Sequence, residues 1–559
     1  MMVNPQRIPG KVTGGRYPPL VAANSSRRDV LRYAFGAMVA AIAGPGVLGA
    51  PHAAATGGTG RSVNVKDFGA IGDGVANDRA AIHAARDAAG VGGAVVFPKG
   101  SYRVEMLSAV ATGYKLFSGG LQANVAGQTW LLGSAELVLI GSQQDNLITI
   151  SAPNVSIVGG TLNLSAVTDA YFFNAAIAVF SGTFSGVTWG AFGSGAAGAV
   201  IRDVTINDAA SYGVWVVRTN SVTVTGCTIK NYYQCGITVE TDRDNPTNIF
   251  DFLIHGNRLE TTFPNAAGIG VGANNQSANN SANFDTSSAR VRRARVTNNS
   301  VVLPRGIVVP SAGDHGAVEM MNAEDCVIDG NITDGGCMGI TTGLLKRTAI
   351  SNNKCSGWWG IGIEVSGGLK NVTVIGNVLD SDGAGGPFDA TTGAQSAGGA
   401  LNQTIAGILS AGPKTFSDYT IVGNTITGFT TAARAGGIGL VNTLRPSTGG
   451  TFANVAIRSN TITAGGGSAK FSAISASAPT TNLTITGNVI DGSSRTPSTG
   501  VEIGESTHNG MSITGNSFRN CSVAAFSPYA LTPGVFADST FAGNRVQNCG
   551  AVIKAALPS

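Results

Sequence analysis

One phrase recurs ten times along this chain of 559 residues: "IHGNRL", "VTNNSV", "IDGNIT", "ISNNKC", "VIGNVL", "IVGNTI", "IRSNTI", "ITGNVI", "ITGNSF" and "FAGNRV". Its asparagines are Asn257, Asn299, Asn331, Asn353, Asn377, Asn424, Asn460, Asn488, Asn516 and Asn544, separated by 22 to 47 residues, with three intervals of 28 at the end. A fixed phrase at elastic spacing describes a constant structural rung joined by loops of variable length. Around each asparagine apolar and polar residues alternate, as in "VTVIGNVLD", which is the period of a strand. No helical period fills the intervals. The economical solution is an all-β solenoid, a parallel β-helix in which each coil supplies about three short strands and lies about 4.8 Å from the last.

In that architecture the asparagine needs no ligand. Gly and Asn tolerate the backbone angles of a tight turn, and amides stacked coil on coil hydrogen-bond along the column. Cys227 in "VTGCTI" occupies the same place one coil earlier. The composition agrees with an ordered chain: 79 glycines and 12% charged residues accompany 43% hydrophobic ones, enough to form a core. The formal charge of +4 is misleading, because residues 1–55 hold six of the 36 Lys and Arg and one of the 32 Asp and Glu. The remaining 30 basic and 31 acidic residues nearly cancel. No basic patch, and no nucleic-acid partner, is expected from that balance.

Residues 25–55, "SSRRDVLRYAFGAMVAAIAGPGVLGAPHAAA", place an arginine pair before an apolar run and end in small residues. They read as a secretory signal resembling the twin-arginine type, which implies export of a folded protein and cleavage near Ala53 to Ala55. Expected domains are therefore a signal and extension over 1–55 and one β-helix over 56–559, secreted or in the cell envelope, with no membrane contact after cleavage. The seven cysteines match neither a zinc site nor a disulfide scaffold and are expected as buried thiols, with a Cys227–Cys235 pair left open. Monomer and trimer both remain open.

Residues 63–104, "VNVKDFGAIGDGVANDRAAIHAARDAAGVGGAVVFPKGSYRV", closely resemble the opening of the pectate lyase-like right-handed β-helix superfamily. That group includes polygalacturonase-like hydrolases, rhamnogalacturonases, mannuronan epimerases and phage tailspikes. The resemblance implies a right-handed solenoid with a short N-terminal capping helix. Asn77 or Asp78 is expected to cap that helix, and Ala81, Ile82, Ala85 and Ala88 to face inward, plugging the open end.

A second strand family, "YGVWVV", "CGITVE", "AGIGVG", "GAVEMM", "MGITTG", "WGIGIE" and "TGVEIG", accompanies the asparagine coils. Alternation predicts that Val214, Ile237, Ile269, Val318, Ile340, Ile361 and Val501 point inward. The residues between them then form a solvent-facing column carrying Trp215, Thr238, Glu240, Glu319, Thr341, Glu364 and Glu502. Glu319 sits two coils from Glu240 and two from Glu364, about 9 to 10 Å at the backbone. That suits the acid and base of inverting glycoside hydrolysis, whose carboxyls stand roughly 6.5–9.5 Å apart. Glu319, Glu364, Glu240 and His315 are the catalytic candidates. Asp242, Arg218, Trp215, Trp359 and Tyr233 are the substrate-binding candidates, with the insertions 273–289, 303–315 and 381–403 as groove walls.

Family motifs do not transfer. The hydrolases' Asn-Thr-Asp, Asp-Asp, Gly-His-Gly and Arg-Ile-Lys meet only "NITDGG", "AEDC" and "GDHG" here, and the epimerases' Asp-Pro-His-Glu is absent from "YGVWVVRTN". The leading expectation is a polysaccharide hydrolase using paired glutamates. The alternatives are a polysaccharide lyase or uronate epimerase, and a non-catalytic glycan-binding or adhesive surface protein. No resident cofactor or metal is expected, Ca²⁺ entering only with a lyase mechanism.

Overall fold

The computed structural model describes residues 60–552 apart from 106–119, 141–145, 168–174, 182–183, 186–187, 190–194, 210, 241–247, 264–265, 273–289, 306–315, 359, 367, 382–403, 412–414, 430–433, 442–449, 466–469, 493–495, 505 and 529–535. Short parallel strands dominate it, and among the described residues the sole α-helix is Arg79–Ala89. The fold is the expected parallel β-helix. The described residues form two compact units, one of 60–274 with 294–300, the other of 290–293 with 301–552.

In the first unit the helix closes the end of the solenoid. It buries Ile82, Ala85 and Ala89, whereas Ala81 and Ala88 stay half-buried. Its polar groups seize the strand beneath. Arg79 Nε donates to the Gly120 carbonyl (2.6 Å), Arg86 Nη1 donates to Gln122 O (2.9 Å), and the Gln122 N–H donates to His83 Nε2 (3.1 Å). Asp78 does not cap the helix with its side chain. Its carboxylate instead accepts from the Ile71 and Gly72 N–H groups (2.6 and 3.1 Å), while Asn77 Oδ1 takes the Arg79 N–H at 3.2 Å. Beyond the cap, strands Ala175–Phe180, Tyr212–Val217, Cys235–Glu240 and Ala267–Gly272 stack in register, with Ile177, Val214, Ile237 and Ile269 in one buried column.

The second unit repeats the pattern over more coils. Strands Gly316–Met321, Met338–Gly343, Ile361–Ser366, Thr404–Ala411, Arg434–Val441, Phe471–Ala476 and Ser498–Ile503 pair in succession. The inward column is Val318, Ile340, Ile363, Ile408, Ile438, Ile474 and Val501. Ile361, expected in this column, is instead in register with Met338 and Ala406. Strict alternation fails because Gly362, between the two isoleucines, also faces the interior. A Cβ placed there would lie 2.7 Å from the Gly407 carbonyl oxygen and 3.2 Å from the buried Trp358 ring.

The asparagines form a hydrogen-bonded ladder in each unit. Asn424 shows the unit cell: its N–H and its Nδ2 both donate to Asn460 Oδ1 (2.9 Å each), and Nδ2 also donates to the Val374 carbonyl (3.0 Å). Its own Oδ1 accepts the same pair of bonds from Asn377. The chain of bonds runs from Asn331 through Asn353, Asn377, Asn424, Asn460, Asn488 and Asn516 to Asn544. In the first unit Asn257 donates to Asn299 and accepts from the Cys227 N–H. Buried amides are thereby satisfied without water or ligand. The preceding residue is left-handed in the copies at Gly256, Asn298, Gly330, Asn352, Gly376, Gly423, Ser459, Gly487, Gly515 and Gly543, which is why the phrase reads Gly-Asn, Asn-Asn or Ser-Asn. All seven cysteines are thiols, and no disulfide joins Cys227 to Cys235.

Candidate active site

Glu319 and Glu364 lie in one column of the second unit. Glu319 pairs with Thr341 on the next strand, and Thr341 with Glu364 on the one after. Two parallel spacings separate their backbones, about 9 to 10 Å. Both carboxylates belong to the outward set of the sheet, yet neither is open to solvent as expected: their residues are 8% and 5% exposed. On the same outer surface Cys337, Met338, Ile361, Ala406 and Leu409 form a buried apolar cluster, and Leu409 follows Glu364 in register. Glu364 therefore has an apolar neighbour in register, and both carboxylates are withdrawn from solvent.

Local backbone geometry aims the acid pair. Glu319 folds back along its own strand and Oε1 accepts the Gly316 N–H at 2.9 Å. Thr341 makes the equivalent turn, its Oγ1 donating to Met338 Sδ at 3.1 Å. Gly316 leaves the space for this: a Cβ on it would stand 2.6 Å from Thr341 Oγ1. A column of Glu, Thr and Glu thereby presents two acceptor-rich ends with a small side chain between them. Farther along the same column, through Leu409, Gly439 and Ser475, lies Glu502, which is engaged by Lys470 and Ser472.

The first unit holds Glu240, Trp215, Arg218 and Tyr233. Trp215 Nε1 donates to Glu240 Oε1 at 2.5 Å. Its ring stacks on Tyr212 (centroids 5.6 Å apart) in an apolar cluster with Ala175, Ala178, Phe180 and Val217. Trp215 is consequently a support for the Glu240 carboxylate, with its ring stacked on Tyr212, and is buried where a solvent-facing substrate contact was expected. Arg218 is wholly buried in a left-handed backbone conformation, its N–H donating to the Glu240 carbonyl (3.1 Å), so it too differs from the expected groove contact. Tyr233 is half-buried with its ring edge-on to Phe263, while its neighbour Tyr232 turns fully inward. His315, Asp242 and Trp359 lie outside the described residues, as do the insertions 273–289, 306–315 and 382–403. Among the described residues no cluster of His, Cys, Asp and Glu is arranged to hold a metal.

Sequence reasoning missed the Trp215–Glu240 bond, because their strand neighbours are Thr238 and Val217 and the two meet diagonally across the register. It also missed a buried carboxylate, Glu324, on which four basic side chains of the second unit converge. Those cations come from "ARVRR" and "LLKRT", whose shared place becomes visible only when the coils are stacked.

Residues 62–117 match the family model "Rhamnogalacturonase A/epimerase, pectate lyase-like". Over those residues the chain resembles the pectate lyase-like superfamily, and its coils are those of a parallel β-helix. Among curated proteins, mannuronan C5-epimerase AlgE4 of Azotobacter vinelandii is 45% identical over 84 residues, a stretch that is 14% of this chain and 14% of that protein. The AlgE4 A-module structure aligns with 86% of this chain and 100% of its own, at 16% identity and a TM-score of 0.39. PfbA, a surface adhesin of Streptococcus pneumoniae, aligns over 85% of this chain and 93% of its own, at 15% identity and a TM-score of 0.40.

Proposed function

We propose that the chain is an exported polysaccharide hydrolase in which Glu319 and Glu364 act as the acid and base pair. The observation that carries this reading is their register: one column, two coils apart, with only Thr341 between. The spacing of about 9 to 10 Å at the backbone falls to or near the roughly 6.5–9.5 Å separation of an inverting pair once the side chains incline toward each other. One carboxyl protonates the leaving glycosidic oxygen while the other removes a proton from water attacking the opposite face of the sugar. The burial of both residues limits competing water at the pair. In the second unit His315 is proposed as a further acid–base candidate and Trp359 as a glycan contact; in the first unit Glu240 remains a candidate acid–base group, with Tyr233 and Asp242 as glycan contacts, and the N-terminal signal is proposed as the twin-arginine route out of the cell.

A second reading, proton abstraction beside a uronate carboxylate by a lyase or epimerase, is favoured by the 45% identity with the AlgE4 epimerase. One assay separates the readings. The mature protein is incubated with neutral and uronate polysaccharides while reducing ends, absorbance of unsaturated products and C5 configuration are followed. Hydrolysis gives reducing ends alone, and loss of that signal in Glu319→Gln supports the assignment. Unsaturated products, or inverted C5 without cleavage, overturn it. Binding with no product identifies a glycan-binding or adhesive protein.

A further inference from the structure

Far from the acid pair, residues 520–521 and 548–549 both read Asn-Cys. Each asparagine is left-handed (φ 54° and 52°), and each cysteine follows it as Asn516 and Asn544 follow the left-handed Gly515 and Gly543. Main-chain bonds set the two pairs level: the Asn520 N–H donates to Gln547 O and the Gly550 N–H donates to Cys521 O, 2.9 Å each. Cys521 therefore lies opposite Cys549, one strand spacing of about 4.8 Å away. The contact copies the asparagine ladder with sulfur in place of the amide. The Cys521 N–H donates to Cys549 Sγ at 3.4 Å, as the Asn516 N–H donates to Asn544 Oδ1 at 2.9 Å. Two thiols, unlike two amides, can be joined.

The two cysteines differ in access: Cys521 is buried and Cys549 half-buried. The difference belongs to the whole coil. Phe541, Asn544 and Val546 are half-buried, whereas Ile513, Asn516 and Phe518, their counterparts one coil earlier, are buried. The outer of the two coils has fewer covered apolar groups to hold it, so it opens locally at lower cost than the coils beneath. Burial first, and then the Cys549 thiol, push the Cys521 thiol above its ordinary range, which leaves the more accessible Cys549 as the sulfur that reacts first.

We propose that Cys521 and Cys549 form a redox site, a dithiol in this structure that a disulfide-bearing oxidant converts into a covalent staple between the two coils. Their Cα atoms, one parallel spacing apart, lie within the roughly 4.4–6.8 Å that a disulfide spans. Cys549, its proton lost to solvent, attacks one sulfur of the oxidant's disulfide, forming a mixed disulfide and expelling a thiolate. Cys521 then loses its own proton, attacks Cys549 Sγ and expels the second thiolate. Both expelled thiolates are reprotonated, so the protein's two thiols become one disulfide while the oxidant's disulfide becomes two thiols. The bond closes a loop that contains most of the outer coil and so restricts its opened state. Such a bond persists in the oxidising surroundings to which the proposed export leads, and it is independent of the carbohydrate chemistry proposed above.

The test treats the full-length chain with glutathione disulfide or with dithiothreitol, alkylates the remaining thiols under denaturing conditions and maps the peptides without reduction. The oxidised protein is expected to lose two of its seven thiols to a Cys521–Cys549 peptide. Cys521→Ser should stop at a glutathione adduct on Cys549, and Cys549→Ser should acquire none on Cys521. Trypsin, attacking the exposed Arg545 inside the closed loop, should cut the oxidised chain roughly tenfold or more slowly than the reduced one, a ratio that Cys549→Ser abolishes. Retention of all seven thiols, a cross-link between other cysteines or between chains, or equal cleavage of the two forms overturns the proposal. If a variant fails to fold, the wild-type peptide map decides alone.

Discussion

Two columns of the second unit run through the same coils and obey opposite rules. The asparagine column holds the same side chain at every rung from Asn331 to Asn544, each amide using its neighbours as partners. The outward column changes at each step, Glu319, Thr341, Glu364, Leu409, Gly439, Ser475, Glu502. Repetition satisfies hydrogen bonds, because the partner of a buried amide must be another amide at the same height. Variation assigns distinct groups to distinct places, which recognition and catalysis need. A ladder position is therefore a poor place to look for chemistry, and a column that breaks its own pattern a good one.

The sharpest test of that contrast is Glu319→Gln or Glu364→Gln. Either is expected to lower the rate of polysaccharide cleavage by about 10²–10⁴-fold, the usual scale for losing a positioned acid or base, with an unchanged melting temperature. The two variants should also differ from each other. The one lacking the acid regains rate on a substrate with a good leaving group, and the one lacking the base does not.

Gly316→Ala comes next. Its Cβ would press on Thr341 Oγ1 and shift the strand that carries Glu319, costing up to about 10²-fold in rate through misplacement. Equal activity in this variant would show that the Gly316–Glu319 bond does not set the geometry.

Asn424→Ala should reverse the signature. It removes the acceptor used by Asn377 and the donor used by Val374 O and Asn460, so stability falls by about 1–3 kcal/mol for each buried group left unpaired, readable by chemical denaturation. Activity below the transition should survive. Loss of activity with no loss of stability would break the division of labour between the columns.

The smallest effect is a pH dependence at the cap. Burial, followed by the nearby Arg86 and Arg79, holds His83 down to about 4 from its ordinary 6.5. Between those values the unfolded chain binds a proton that the folded chain refuses, so stability declines as pH falls from 6.5 toward 4. His83→Gln should flatten the melting temperature across that window, and an equally steep profile in the variant would assign the decline to other groups.

Much of this was legible in the sequence. The asparagine spacing and the alternation around it foretold the coils, and lining up "GAVEMM" and "MGITTG" put Glu319 beside Thr341; the third phrase, "WGIGIE", sits two residues away from its expected register, which brings Glu364 rather than Gly362 beside Thr341. What escaped depended on neighbours in space. Alternation reports which way a side chain points but not what covers it, so Glu319 and Trp215 were expected in solvent and are buried. Ile361 was misplaced because two successive residues, Gly362 and Ile363, face inward and Ile363 takes the expected place. Of the two expected helix caps, Asn77 accepts the Arg79 N–H, whereas the Asp78 carboxylate is taken by the amides of Ile71 and Gly72. The Glu324 cluster draws on residues 290 to 347, and an even charge balance over the body conceals a local excess on one face.

The asparagine ladder has a sense of direction. From Asn331 to Asn516 each rung donates to the asparagine of the following coil, and each from Asn353 onward accepts from the one before, so one coil can follow any other that ends in the same amide. The 28-residue coil from 461 to 488 is thus an interchangeable part: cut it out, and the donors of Asn460 meet the acceptor of Asn516. Such a chain can lengthen or shorten by whole coils over evolutionary time, carrying new outward residues into place without redesigning what lies beneath them.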